Sequence, residues 1–144
     1  LQQAGLPATR RSQAMPGEDT VVWLGDSMGE MAAYYSLADL AFVGGSLLPL
    51  GGQNLIEAAA CECQVLVGPH TFNFLQATED AIAAGAAQRV PDADELGRQV
   101  NALLRDAGRL AAMRRSAGEF ARAHQGAAGR MLDLIERWTD RAER

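Results

Sequence analysis

The stretch Phe42–Glu57, F-V-G-G-S-L-L-P-L-G-G-Q-N-L-I-E, constrains this chain more than any other part of it. It opens in a short apolar run, Leu40-Ala41-Phe42-Val43, which reads as a buried strand. Two glycine pairs follow, Gly44-Gly45 and Gly51-Gly52, with Pro49 between them, and an Ala-rich helix is predicted from about Asn54 to Ala60. Glycine adopts backbone conformations closed to other residues and lets a chain approach a ligand. A helix start presents unpaired N–H groups and the positive end of the helix dipole, which together suit a phosphate. Glu57 falls about one turn into that helix, within expected reach of a ribose hydroxyl. The unit therefore reads as a nucleotide-phosphate site, with a long βα turn as the alternative. It is neither a P-loop, which needs a Gly-Lys-Ser/Thr ending, nor the dinucleotide G-x-G-x-x-G.

Short strands and longer helices alternate along the rest of the chain. Residues 1–5 read as a helix end stopped by Gly5 and Pro7, and Arg10 to Asp19 as a polar loop. Val21 to Leu24 is an apolar run suited to a strand covered on both faces. Ser27 and Glu30 have capping-box spacing, which predicts a helix from Met28 to about Leu37. Further strands are predicted at Val65–Val67 and Ala87–Val90. Between them lies a helix capped by Asn73 and stopped by Gly85. Asp92 and Glu95 open a helix with Leu96, Val100, Leu103 and Leu104 on one stripe. The next carries Leu110, Met113, Ala117 and Phe120, and the last Met131, Leu134, Ile135 and Trp138. That final stripe either covers this domain's own sheet or stands exposed and favours self-association.

Such alternation specifies an α/β fold, a three-layer Rossmann-like parallel sheet with helices on both faces. Ligands in these sheets bind beyond the carboxyl ends of the strands. The loops 25–30, 44–54 and 68–73 all follow strands and are expected to share that edge. The 144 residues suffice for one domain with a real core. A net charge of −5 argues against nucleic acid as a partner. No apolar run is long enough to cross a bilayer. The first residues lack the hydrophobic region of a signal peptide, and with no initiating Met the chain reads as a piece of a longer protein whose first domain strand is absent. Cys61 and Cys63 are too close in sequence for an ordinary disulfide and lack a second ligand pair for zinc, so small buried thiols are the expectation.

Three ordered motifs, G-D-S-M-G-E, F-V-G-G-S-L-L-P-L-G-G-Q-N-L-I-E-A and V-L-V-G-P-H-T-F-N-F, resemble the C-terminal half of the 3-deoxy-D-manno-octulosonic acid (Kdo) transferases. The resemblance covers about Val21 to Val90 closely. It implies a GT-B glycosyltransferase with two Rossmann-like domains across a cleft. This domain would bind the donor CMP-Kdo, and an N-terminal domain would receive the lipid A precursor and make the membrane contact. Such an enzyme acts in lipopolysaccharide biosynthesis at the cytoplasmic face of the inner membrane of Gram-negative bacteria.

Carried onto this sequence, Ser27, Met28 and Gly29 would line the nucleotide pocket. Gly44, Gly45 and Ser46 would approach the phosphate, the serine as a hydroxyl donor. Gly52, Gln53 and Asn54 would meet phosphate or sugar, and Glu57 would accept from the ribose. Glu30 either contacts the ligand or caps its helix, and His70 either orients its loop or faces the donor. Gln53 stands where many relatives have His, so a contact able to carry charge near neutral pH becomes a neutral one. The family's catalytic base belongs to the N-terminal domain. No catalytic residue is therefore assigned here, no metal site or cofactor is expected, and the piece alone should be inactive. Two other classes stay open: the donor domain of a GT-B enzyme using a UDP-sugar, and a non-catalytic nucleotide-binding module.

Overall fold

The structure, a computed structural model, describes residues 2–124. They divide between Met31 and Ala32 into two compact units.

In the first unit, strand β1 (Ala8–Arg10) pairs in parallel with β2 (Val22–Leu24), Thr9 lying opposite Trp23. Strand β1 was not expected, because only three residues of mixed polarity carry it. A short 3-10 turn, Gln2–Ala4, precedes it and ends at Gly5 with φ of +63°. The connection back to β2 is held by the Thr9–Thr20 hydroxyl pair at 3.2 Å. Arg11 lies over the Trp23 ring, 6.0 Å from its centroid.

Helix α1 (Met31–Leu37) leads into the second unit, a three-stranded parallel sheet in the order β3 (Leu40–Phe42), β4 (Gln64–Val67), β5 (Ala87–Arg89). Ala41 sits opposite Val65, and Val65 opposite Ala87. The crossovers are α2 (Ile56–Ala60) between β3 and β4, and α3 (Leu75–Ala83) between β4 and β5. Two helices follow, α4 (Ala93–Leu104) and α5 (Ala107–His124).

Side chains alternate across a strand, so β4, buried along its whole length, feeds two cores. Val65 and Val67 pack with Leu55, Ala58 and Ala59 around α2, with Ala81 of α3, and with Ala117, Phe120 and Ala121 of α5. Leu66 points the other way, to Leu103 of α4 and Met113 of α5, with Leu96, Val100 and Leu110 partly buried around them. Helices thus cover both faces of the sheet, as the alternation predicts. Helix α5 serves both cores, its first half at Leu66 and its second at Val65 and Val67. A hydrogen bond from Gln64 Nε2 to the Leu110 carbonyl, at 2.9 Å, ties it to the start of β4.

Helix α4 begins as its sequence predicts, with the Asp92 carboxylate accepting the Glu95 amide at 2.7 Å. Leu104 departs from the predicted stripe and is exposed, since it follows Leu103 by 100° around the helix. Cys63 is buried and Cys61 half-buried, both as free thiols. The predicted last helix, with Met131, Leu134, Ile135 and Trp138, lies outside the described residues.

Candidate functional site

Two loops leave the carboxyl edge of the three-stranded sheet, 43–55 after β3 and 68–74 after β4. They hold each other through backbone and side-chain bonds. The Ser46 hydroxyl donates to the Val43 carbonyl at 2.5 Å and accepts the Gly68 amide at 2.8 Å. The Ser46 carbonyl accepts the His70 amide at 2.9 Å. Further out, the Gly51 carbonyl accepts the Asn73 amide at 3.1 Å, and Asn73 Nδ2 donates to the Leu50 carbonyl at 3.2 Å.

Glycine is required at particular points of this arrangement. Gly45, Gly51 and Gly52 have φ of +73°, +89° and +72°, a region that side-chain-bearing residues rarely adopt. A Cβ on Gly51 would lie 2.4 Å from Asn73 Nδ2, and one on Gly68 would lie 2.3 Å from the Ser46 carbonyl oxygen. Gly44 differs. It is exposed, its missing Cβ would meet nothing within 4 Å, and the backbone there stands open to approach.

The geometry changes three sequence readings. Ser46 is wholly buried, and its one hydroxyl proton already goes to Val43, so it clamps the two loops rather than presenting a donor to a phosphate. The helix expected from Asn54 starts two residues later and has five residues. Asn54 Oδ1 accepts the Ile56 amide at 2.9 Å, occupying one of the N–H groups that a phosphate would need. Asn73 does not cap α3; it lies in a 3-10 turn, Phe72–Phe74, and bonds the glycine loop instead.

Gln53 and Glu57 are exposed beside this loop, Gly52 is buried in it, and His70 is half-buried. A depression of about 500 Å³ opens on the same edge, lined mainly by apolar groups: Phe42, Leu47, Leu48, Leu50 and Pro91, with Gly45 and Asp92. Arg89 was missed by the sequence reading. Its guanidinium reaches from β5 to the Gly68 carbonyl at 2.9 Å, the Pro69 carbonyl at 3.3 Å and the Thr71 hydroxyl at 3.2 Å, and pairs with Glu79 at 2.6 Å. An Arg at the end of a strand, beside a G-P-H-T turn, is the signal that was available.

The remaining candidates, Ser27, Met28, Gly29 and Glu30, belong to the first unit, after β2. The capping-box pair exists as a Ser27 hydroxyl to Glu30 carboxylate hydrogen bond, but the helix starts at Met31, past both. Glu30 also pairs with Arg11 at 2.9 Å. Met28 is 96% exposed, and Gly29 has φ of +79°. Asp26 accepts the Ser12 amide at 2.9 Å and the Ser12 hydroxyl at 2.8 Å, which hold its carboxyl below the usual range. A depression of about 700 Å³ in this unit, lined by Thr9, Arg10 and Leu24 among others, includes none of the expected donor residues.

No family model matches the chain. A 3-deoxy-D-manno-octulosonic acid transferase of Bordetella pertussis is 52% identical over 140 residues, covering 96% of this chain and 33% of the relative. One from Haemophilus influenzae is 38% identical over 133 residues, covering 92% and 31%. The chain therefore spans about a third of the length of these curated relatives. Among solved structures, the C-terminal CMP-Kdo binding domain of WaaA from Acinetobacter baumannii superposes with a TM-score of 0.78 at 32% identity, covering 83% of this chain and 63% of that one.

Proposed function

We propose that this chain, a homologue of the 3-deoxy-D-manno-octulosonic acid transferases, is the donor-binding part of an enzyme that moves Kdo from CMP-Kdo to the lipid A precursor. The observation that carries this reading is the match to a CMP-Kdo binding domain in both fold and sequence. The open backbone at Gly44, on the carboxyl edge of a parallel sheet, supports it.

In this reading the chain supplies the nucleotide-sugar-binding part of a GT-B enzyme. The backbone of Gly44 and Gly45 approaches the CMP phosphate, with Gly52, Gln53 and Asn54 beside it and Glu57 toward the ribose. Within the first unit Ser27, Met28, Gly29 and Glu30 are further candidates for contact with the nucleotide, and within the second unit His70 is another. Ser46 contributes by fixing the loop. As CMP leaves, negative charge grows on one phosphate, and amides already held in place by the loop clamp stabilise it without reorganising. This arrangement needs no metal. The base that takes the proton from the acceptor hydroxyl belongs to the rest of the enzyme. The parent protein works in lipopolysaccharide biosynthesis at the cytoplasmic face of the inner membrane, and the acceptor reaches it through its other domain.

The test is an NMR titration of the protein with CMP and, separately, with UDP. The expected result is CMP-selective shifts at the amides of Gly44, Gly45, Gly52 and Asn54. Equal responses to UDP would replace Kdo transfer with a UDP-sugar donor, and silence toward both nucleotides would overturn the donor-site reading.

A further inference from the structure

We infer that Asn73 is a positioning residue for donor binding, acting through the glycine loop that its side chain braces. Three observations bring this together. Asn73 Nδ2 donates to the Leu50 carbonyl at 3.2 Å, and the Asn73 amide donates to the Gly51 carbonyl at 3.1 Å, so one residue holds two consecutive carbonyls of the loop. The carboxamide also lies against the Gly51 backbone, so close that a Cβ there would fall within 2.7 Å of its nitrogen, carbon and oxygen. Finally, Asn73 has no part in starting the following helix, whose cap, Phe74, makes no side-chain bond. Its polar groups are thus turned toward the loop rather than toward the helix it precedes.

The consequence is conformational. Gly51 and Gly52 both have positive φ, and glycine in free chain is the residue with most alternatives to that conformation. With Asn73 in place the loop is held in one shape before any ligand arrives, and binding incurs less ordering cost. Without the carboxamide, Leu50 and Gly51 lose a brace on the solvent side, while the buried Ser46 clamp remains. Donor affinity should fall and the chemical step should not.

This inference rests on the donor-site reading above. The test uses the full-length transferase that contains this chain, with Asn73→Ala and the isosteric Asn73→Asp, whose carboxylate cannot donate to the Leu50 carbonyl. The loss of one neutral hydrogen bond predicts a KM for CMP-Kdo, and a Kd for CMP, raised roughly three- to tenfold. The same variants should keep kcat within about twofold, the pattern of lost binding rather than lost catalysis. Amide exchange at Gly52 should quicken in both. Asn73→Asp preserves the shape of the side chain and carries the test if the alanine variant unfolds. If the wild type binds CMP and both variants bind it equally well, the inference fails alone. A fall in kcat at constant KM would also overturn it. If the wild type binds no CMP, the donor-site reading fails and this inference with it.

Discussion

The hydroxyl of Ser46 accepts the amide of Gly68 at 2.8 Å, and a Cβ on Gly68 would lie 2.3 Å from the Ser46 carbonyl oxygen. The loops that follow β3 and β4 are therefore in direct backbone contact, with a serine side chain as the link. Removing that link should be costly. Ser46→Ala leaves the Gly68 N–H without its acceptor in a buried place, for a loss of about 2 kcal/mol, measurable by urea unfolding.

Gly68→Ala should do more harm than Ser46→Ala. The obstacle is the backbone of Ser46 and Leu47, so no side-chain rotation relieves it, and the two loops must part. A cost of roughly 3 kcal/mol is expected, at the upper end for overpacking. A Tm equal to that of the parent would mean that the two loops are not in contact in solution.

Adjacent leucines on α4 should behave differently. Leu103 is fully buried against Leu66 and Met113, so Leu103→Ala should cost about 2–5 kcal/mol. Leu104 is exposed, and its alanine variant should stay within about 0.5 kcal/mol of the parent. Thermal unfolding of the pair measures which leucine faces the sheet.

Burial pushes the Cys63 thiol up from its ordinary value near 9 to about 11. The folded state thus holds its proton longer than the unfolded chain does. Stability from this group is complete below pH 9, and declines as the pH rises toward about 11. Denaturant midpoints measured across that range should fall. Cys63→Ala should flatten part of the decline, leaving the part due to Tyr35, whose phenol is also raised by burial.

Much of the fold was legible because periodic burial sets its main features. Val65-Leu66-Val67 announced a strand, whereas Val21 to Leu24, expected to be covered on both faces, leaves Val21 and Leu24 exposed, since β2 pairs only with β1 among the described residues. Leu110, Met113, Ala117 and Phe120 recur at helical spacing and all face a core. Asp92 and Glu95 form the predicted helix start. What escaped the sequence depends on partners far along the chain. Ala8–Arg10 is a strand only because Val22–Leu24 lies beside it. Asn73 has the chemistry of a cap, and its position in a sequence does not reveal that its carboxamide instead donates to a carbonyl of the glycine loop. Within the candidate site, the glycine pairs were found by their pattern. Ser46 was given the wrong task because burial of a hydroxyl between two loops leaves no local trace. The convergence expected of three loops holds for those after β3 and β4, while the loop after β2 belongs to the other unit.

The position of β4 bears on how the protein is made. Gln64–Val67 has high β-propensity in its three apolar residues and no charge, and in the finished fold both its edges are paired and both its faces covered. Its second edge is closed only by Ala87–Arg89, and its covering is completed by α5, through Ala117, Phe120 and Ala121. A ribosome therefore carries this segment half-sheathed for more than fifty residues of synthesis, from Val67 to Ala121, the last α5 residue packed on it. Nascent chains stalled in that interval are where fibril-like association should begin.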